Sequence, residues 1–257
     1  MIFLSKNGQD RYINDFARGC KSVPTDTETF DYAQSNDAIV LRGILKHKII
    51  KRCWQDNRTF YYMDTGYFGN EGTWKYWHRI VKNNLQHTDI IERPGDRFQK
   101  FNKAIHPWKT GSKIIVAAPD EKPCKFYGVN QQQWIDQTVN TIKKYTDRPV
   151  VVRERAKQRI ARLTDTLEQS LSNDVHALVT FNSVAATESV FFGVPVFTLA
   201  PNAAQPVGLQ DLSKIEDPYY PSNDKRYAWA CHLAYGQFHI NELTDGSAKQ
   251  KLEEWYG

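Results

Sequence analysis

The sequence lacks most of the short motifs that mark common enzyme classes. Its 257 residues contain no Gly-X-Gly-X-X-Gly, no Walker phosphate loop and no Gly-X-Ser-X-Gly, so the usual dinucleotide, NTPase and hydrolase signatures are absent. No Asp-X-Asp is present to hold a catalytic metal, and the nearest match is Asp26-Thr27-Glu28. The seven histidines are scattered without metal-ligand spacing. We therefore expect neither a bound metal nor a tightly bound cofactor.

Cysteine and long apolar runs are also scarce. The four cysteines lie far apart and none has a paired spacing, which is typical of free thiols in a cytoplasmic protein. No stretch approaches 18 apolar residues and no basic-then-apolar leader is evident, so we expect neither a membrane span nor a secretory signal. With a mean hydropathy of -0.61, the composition predicts a soluble globular protein of cytoplasmic location.

What the chain does have is a mild excess of positive charge and many aromatic residues. Its net charge is +5, and it contains seven Trp and thirteen Tyr. A basic chain suits a polyanion such as DNA, an anionic nucleotide or an acidic membrane surface, but it is equally compatible with no partner. Aromatic rings stack on sugars and bases, although most of them pack in or near a core.

Strand and helix patterns alternate along the chain, which predicts an α/β protein with parallel sheets covered by helices. Phe101–Lys113 is the best candidate linker, so we predict an N-terminal half over 1–108, a C-terminal half over 109–240 and a closing helix over 241–257. A short strand is also expected at Thr88–Ile91. The other predicted strands cover 1–4, 37–43, 58–64, 113–118, 149–153, 177–181 and 193–199, and the predicted helices cover 45–55, 131–145, 163–171, 225–235 and 245–255, with a further short helix after 183.

Polar residues follow four of these predicted strands. They are Asp64, Pro119-Asp120, Arg153 and Asn182-Ser183. Ligands of parallel sheets collect at the carboxyl ends of the strands, so this convergence favours a binding site.

The strand–helix–strand unit over 177–199 carries the strongest signal. Asn182 or Ser183 begins its helix, where free N–H groups and the helix dipole hold a phosphate well. Glu188, about a turn and a half further on, can accept hydrogen bonds from a ribose. The alternative is a helix cap chosen for stability and a solvated glutamate.

Arg153 and Asp64 are the candidates for charge stabilisation and general base catalysis. A guanidinium at a strand end can clamp a pyrophosphate, although the nearby charges also suit a solvated turn, and Arg155 is left open. Asp64 precedes Thr65-Gly66, where the backbone can turn closely around a substrate and the carboxylate can deprotonate a hydroxyl. The alternative for Asp64 is an ordinary turn cap.

The aromatic and basic run over residues 74–82 has two interpretations. Trp74 and Tyr76 can stack on an exposed base while Lys75, Arg79 and Lys82 meet phosphates. The alternative is an amphipathic helix with an aromatic inner face.

The second half resembles the donor-binding half of GT-B-fold glycosyltransferases, most closely the capsule-polysaccharide and sialyltransferase-like groups. The resemblance covers about residues 113–200. The segments that carry it are Val150–Arg153, Val179–Ser183, Glu188 and Gly193–Val196. One departure is that Glu154-Arg155 stands where those capsule groups usually have His-Pro.

Part of the first half is similar to phage-encoded proteins of the same type, through Asp64–Phe68 and Tyr76–Arg79. The resemblance as a whole implies two small Rossmann-like halves with a cleft between them and metal-independent sugar transfer from a nucleotide-sugar donor. It implies that Asp64 activates the acceptor and that the donor is held by Arg153, Asn182, Ser183 and Glu188.

The acceptor is the most open part of the prediction. The basic, aromatic first half favours a 5-hydroxymethylpyrimidine in phage DNA, reached by extruding the base in the host cytoplasm. Residues expected to bind that acceptor are Tyr67, Trp74, Lys75 and Arg79. The alternatives are transfer to a capsule or lipopolysaccharide acceptor and a non-catalytic module that binds nucleotides or nucleic acid.

Overall fold

The computed structural model describes residues 1–44, 47–70, 74–154, 166–172 and 174–256. It divides the chain into two compact units, the first formed by Met1–Leu85 with Gly236–Gly257 and the second by Gln86–Tyr235. Each unit contains a sheet and helices, so the predicted α/β class is confirmed. None of the helices in the described ranges is long and apolar enough to cross a membrane.

The strands and helices are numbered in chain order. The strands are β1 (Ile2–Leu4), β2 (Ile39–Arg42), β3 (Phe60–Thr65), β4 (Trp77–Lys82), β5 (Lys113–Ala117), β6 (Val150–Arg153), β7 (Val175–Thr180), β8 (Val196–Thr198) and β9 (Gln237–His239). The helices are α1 (Arg11–Gly19), α2 (His47–Gln55), α3 (Asp96–Gln99), α4 (Glu121–Tyr127), α5 (Gln131–Ile142), α6 (Leu167–Leu171), α7 (Ala185–Phe191), α8 (Asn223–Tyr235), α9 (Ile240–Asp245) and α10 (Ser247–Tyr256).

The sheet of the first unit has the order β1-β2-β3-β4-β9 and is mixed. Strands β1, β2 and β3 are parallel, whereas β4 runs antiparallel to both β3 and β9. The prediction of a wholly parallel sheet here was therefore wrong, as was the alternative of an amphipathic helix over residues 74–82, of which 77–82 form β4. The connection between β3 and β4 spans only residues 66–76, which is too short for the usual helical crossover that parallel strands need.

Helix α1 supplies the core against one face of this sheet. The carboxylate of Asp10 accepts a hydrogen bond from the Ile13 N–H at 3.3 Å and so caps the helix. Ile13 and Phe16 are fully buried and pack in a cluster with Val40 and Met63. This helix was not predicted from the sequence.

The sheet of the second unit has the order β6-β5-β7-β8 and is entirely parallel, as predicted. The chain leaves β5 for β6 on one side and then returns to β7 on the other side. This reversal makes a topological switch point between β5 and β7, where the loops at the carboxyl ends of the strands diverge.

The segment over 101–113, predicted as a linker, packs inside the second unit. The backbone N–H of His106 donates to the Phe191 carbonyl at 2.8 Å, and the backbone N–H of Lys109 donates to the Gly193 carbonyl at 2.7 Å. The indole of Trp108 donates to the Pro221 carbonyl at 2.9 Å. These bonds explain why the units divide after Leu85 and Tyr235 rather than near residue 108 or 240. The strand expected at 88–91 does not form.

Candidate functional site

Three of the four predicted strand-end groups lie at one edge of the second unit's sheet. Ala117, the last residue of β5, is the register partner of both Arg153 and Thr180. The loops that begin at Ala118, Glu154 and Phe181 therefore start from the same edge. Asp64, the fourth group, lies in the first unit.

The loop after β7 presents unpaired backbone N–H groups. The carbonyls of Asn182 and Ser183 accept hydrogen bonds from the side chains of Gln86 at 2.7 Å and Asn202 at 2.9 Å. Within the described ranges, the N–H groups of Ser183 and Val184 have no hydrogen-bond acceptor. Such consecutive N–H groups can receive an anion.

The side chains around this loop are partly committed to the fold. Helix α7 begins at Ala185 with Val184 as its N-cap, later than the expected start at Asn182 or Ser183, and the Ser183 hydroxyl accepts from the Ala185 N–H at 3.2 Å. Burial raises the pKa of Tyr127, against the opposing effect of a hydrogen bond from the Asn182 side chain. Glu188 lies in the first turn of α7 with an exposed side chain. A loop with a fixed backbone is thus followed by a helix that carries an exposed carboxylate.

Arg153 ends the edge strand β6 and is half-buried. Its Nε donates to the Ser170 hydroxyl at 2.9 Å, which fixes the side chain against α6. Strand β5 separates β6 from β7, so the ends of β6 and β7 lie roughly 10 Å apart. Arg155 lies outside the described residues.

Asp64 lies at the end of β3 with 34% of its side chain exposed. Its carboxylate accepts hydrogen bonds from the Tyr62 hydroxyl at 2.7 Å and the Thr65 N–H at 2.8 Å, and Arg79 lies 3.4 Å away. Burial raises the pKa of Asp64, but Arg79 and these hydrogen bonds outweigh it, so the pKa is lowered overall. The carboxylate is therefore ionised at neutral pH.

The four predicted acceptor residues have different surroundings. Tyr67 and Arg79 are buried, and the Arg79 guanidinium lies 5.3 Å from the centre of the Tyr67 ring. The Lys75 ammonium donates to the Asn70 carbonyl at 3.4 Å. Trp74 is 63% exposed and is the one that presents a large aromatic surface.

Several residues of the two sites were missed at the sequence level. Tyr62 was findable, because residues two apart in a strand share a face, so its hydroxyl can reach Asp64. Gln86 and Asn202 carried no local signal, since they act on a loop about 96 and 19 residues away in sequence. In the described part of the chain, no group of three or more His, Cys, Asp or Glu side chains could hold a metal ion.

Two solved structures are similar to this chain over almost their whole length. Both are KpsC proteins of Thermosulfurimonas dismutans. The β Kdo 2,4 transferase matches with 11% identity and a TM-score of 0.52, over 95% of this chain and 98% of that chain. The β Kdo 2,7 transferase matches with 9% identity and a TM-score of 0.51, over 98% of this chain and 100% of that chain.

No protein-family model matches the chain, and no curated protein matches it either. At these identities the two structural matches show a shared fold. They agree with the predicted Rossmann-like α/β class, and the chain spans 98% of one transferase and 100% of the other.

Proposed function

We propose that this protein is a glycosyltransferase that moves a sugar from a nucleotide-sugar donor to an acceptor hydroxyl. The observation that carries the proposal is the match to two Kdo transferases over at least 95% of this chain. The carboxyl ends of the second unit's strands support it independently, because unpaired N–H groups follow β7, an arginine ends β6 and a glutamate lies in the first turn of α7, beside a topological switch point.

We assign donor binding to the second unit. The N–H groups of Ser183 and Val184 receive a donor phosphate, with Asn182 beside them, and Glu188 accepts hydrogen bonds from the ribose. Arg153 carries a permanent positive charge that stabilises the phosphate as it departs with the electrons of the sugar–oxygen bond. In this proposal the charge on the leaving group is neutralised by these groups, without a metal ion.

We assign the general base to Asp64 in the first unit. An ionised carboxylate with part of its surface exposed can take the proton of an acceptor hydroxyl as that oxygen attacks the sugar. The hydrogen bonds from Tyr62 and Thr65 fix the orientation of the carboxylate. Trp74, with its exposed ring, is the predicted acceptor residue best suited to stack on a sugar.

A saccharide acceptor is favoured over DNA. Both structural matches are named as Kdo transferases, which agrees with the capsule or lipopolysaccharide alternative. The DNA acceptor has no supporting observation, and Tyr67 and Arg79 are too buried to grip an extruded base or a phosphate. It stays a prediction from composition alone.

The test is release of nucleotide from a panel of nucleotide sugars, including activated Kdo. Each donor is offered with oligosaccharide acceptors or with DNA that contains 5-hydroxymethylpyrimidines. We expect release that depends on a saccharide and not on the DNA. Release that depends on the modified DNA would contradict the acceptor assignment, and binding without any turnover would identify a non-catalytic module.

A further inference from the structure

Two buried carboxamide side chains join the loops that follow β7 and β8. Gln86 is 4% exposed and Asn202 is fully buried. Gln86 donates to the Asn182 carbonyl at 2.7 Å and accepts from the Ala203 N–H at 2.9 Å. Asn202 donates to the Ser183 carbonyl at 2.9 Å and accepts from the Ala204 N–H at 2.9 Å. Each carboxamide therefore donates a hydrogen bond through its NH2 group and accepts one through its oxygen.

These contacts decide where two N–H groups point. A trans peptide group is planar, so its N–H and its C=O point in opposite directions. Gln86 holds the carbonyl of the peptide that contains the Ser183 N–H, and Asn202 holds the carbonyl of the peptide that contains the Val184 N–H. Both N–H groups are thereby turned away from the two amides.

Gln86 and Asn202, which we call the amide clamp, are anchored in the core of the second unit. The Trp229 indole donates to the Ala203 carbonyl at 2.7 Å, and Trp229 is fully buried in α8. His87, next to Gln86 in sequence, packs edge to face against His232 with ring centres 5.2 Å apart. Because both amides have buried support, they hold the loop without help from solvent.

We propose that Gln86 and Asn202 are positioning residues of the donor site, which fix the Ser183 and Val184 N–H groups in the orientation that receives the donor phosphate. This inference rests on the proposed function. It assigns a role to two residues that do not touch the donor themselves. Pre-orientation strengthens binding because no conformational entropy of the loop is lost when the N–H groups bind an anion.

A carboxamide is the side chain that this task requires. It can donate to a carbonyl and accept from an N–H at the same time, and it carries no charge that would repel a phosphate. Replacement by an apolar side chain of similar size removes the side-chain donor of the Asn182 or Ser183 carbonyl, and the Ser183 carbonyl then keeps its hydrogen bond from the Ala186 N–H at 3.2 Å. The affected peptide is then held less firmly, and the loss is greater for the Asn182–Ser183 peptide than for the Ser183–Val184 peptide.

The experiment compares matched amides at and away from the donor site. Gln86→Met and Asn202→Leu remove the clamp. Gln237→Met is the control for Gln86→Met, because Gln237 is likewise buried, accepts from the Tyr67 N–H at 2.8 Å and donates to the Phe68 carbonyl at 3.1 Å. Asn70→Leu is the control for Asn202→Leu, because Asn70 bonds both the N–H and the carbonyl of Trp77.

The readouts are the Kd for a panel of nucleoside mono- and diphosphates, the donor and acceptor KM, and the melting temperature of each variant. We expect Gln86→Met and Asn202→Leu to weaken nucleotide binding and raise the donor KM about tenfold, since each loosens a hydrogen bond to a charged group. The acceptor KM should stay as in the wild type. The two controls should keep the wild-type Kd for nucleotide, even where they lower the melting temperature equally.

Each other outcome has a distinct meaning. If the wild type binds no nucleotide, the proposed function and this inference both fail. If the wild type binds nucleotide and the Gln86 and Asn202 variants bind it equally well, the inference alone is overturned. If the controls lose affinity in step with their melting temperatures, the effect is general destabilisation, and the positioning role is again rejected.

Discussion

Asp64 is surrounded by groups that favour its ionised form. The Tyr62 hydroxyl and the Thr65 N–H donate to it, and the buried Arg79 faces it across the β3–β4 pair. Arg79 is itself held by the Thr65 carbonyl at 2.6 Å and the Leu85 carbonyl at 3.3 Å. The carboxylate is thus oriented on one side and accessible on the other, which is the arrangement that a general base needs.

The proposed base is tested by replacing its carboxylate with an amide. Asp64→Asn keeps the shape of the side chain but removes its ability to take a proton, so we expect turnover to fall by roughly 10²- to 10⁴-fold. The Kd for nucleotide should be unchanged, because the donor is assigned to the second unit. Steady-state kinetics and calorimetric titration measure the two quantities. Asp56→Asn, at an exposed carboxylate, is the control, and unchanged turnover in Asp64→Asn would remove Asp64 from the mechanism.

The second prediction uses the hydroxyl that donates to Asp64. Tyr62→Phe removes a hydrogen bond that helps to lower the pKa of Asp64, so that pKa should rise. A base must be ionised to act, and activity should therefore begin to fall at a higher pH than in the wild type. The acidic limb of the pH profile of kcat/KM measures the shift. An unmoved limb would show that the titrating group is not Asp64.

At the scale of elements, helix α7 ends in a backbone conformation that only glycine adopts without strain. Gly193 has a φ of +77°, and a Cβ there would fall on the Pro107 carbonyl oxygen. Gly128, at the end of α4, has a φ of +69° with open space around the same position. An L side chain would therefore strain the backbone at either position, but its Cβ would clash only at residue 193.

We predict that alanine lowers the free energy of unfolding more at residue 193 than at residue 128. Gly193→Ala should lower the free energy of unfolding by more than about 3 kcal/mol, because the clash is with backbone that is bonded on both sides. Gly128→Ala should lower it by only about 1 kcal/mol. Urea unfolding of the two variants measures both values. Equal losses would contradict the close packing of residues 106–109 against α7.

The sequence was most informative where local pattern and tertiary structure agree. Strands β5 and β7 were predicted because buried parallel strands form continuous apolar runs, as in Ile114–Ala117 and Ala177–Val179. Strand β4 was missed because Trp77–Lys82 mixes aromatic, basic and apolar residues, and its identity depends on pairing with β3 and β9. The second unit's strand-end loops could be predicted, but the amides that brace them could not, since no local rule links Gln86 to Asn182.

For the whole molecule, both units bury a histidine in its neutral form. His78 is fully buried in the first unit and His232 is 2% exposed in the second. Burial, together with Arg42 for His78 and Arg93 for His232, lowers each pKa to about 4. In the unfolded chain a histidine has a pKa of about 6.5.

The stability of the protein should consequently depend on pH. Between pH 6.5 and 4 these histidines become protonated in the unfolded chain but stay neutral in the folded protein. The free energy of unfolding therefore falls as the pH falls. The loss approaches roughly 3 kcal/mol per histidine at pH 4. Urea midpoints from pH 8 to pH 4.5 should be level above pH 7 and decline below it. A His232→Gln variant should decline less steeply, and a profile that is flat down to pH 4.5 would contradict neutral burial.

The most direct test of the central claim is the mass of an acceptor after incubation with the protein and nucleotide sugars. We predict that a saccharide acceptor gains the mass of one sugar residue with the wild type, and gains none in the same time with Asp64→Asn. This result would establish the reaction class and the donor sugar together and would support the role of the first unit's carboxylate. If no acceptor gains mass although the protein is folded and the donors are intact, the glycosyltransferase assignment is wrong.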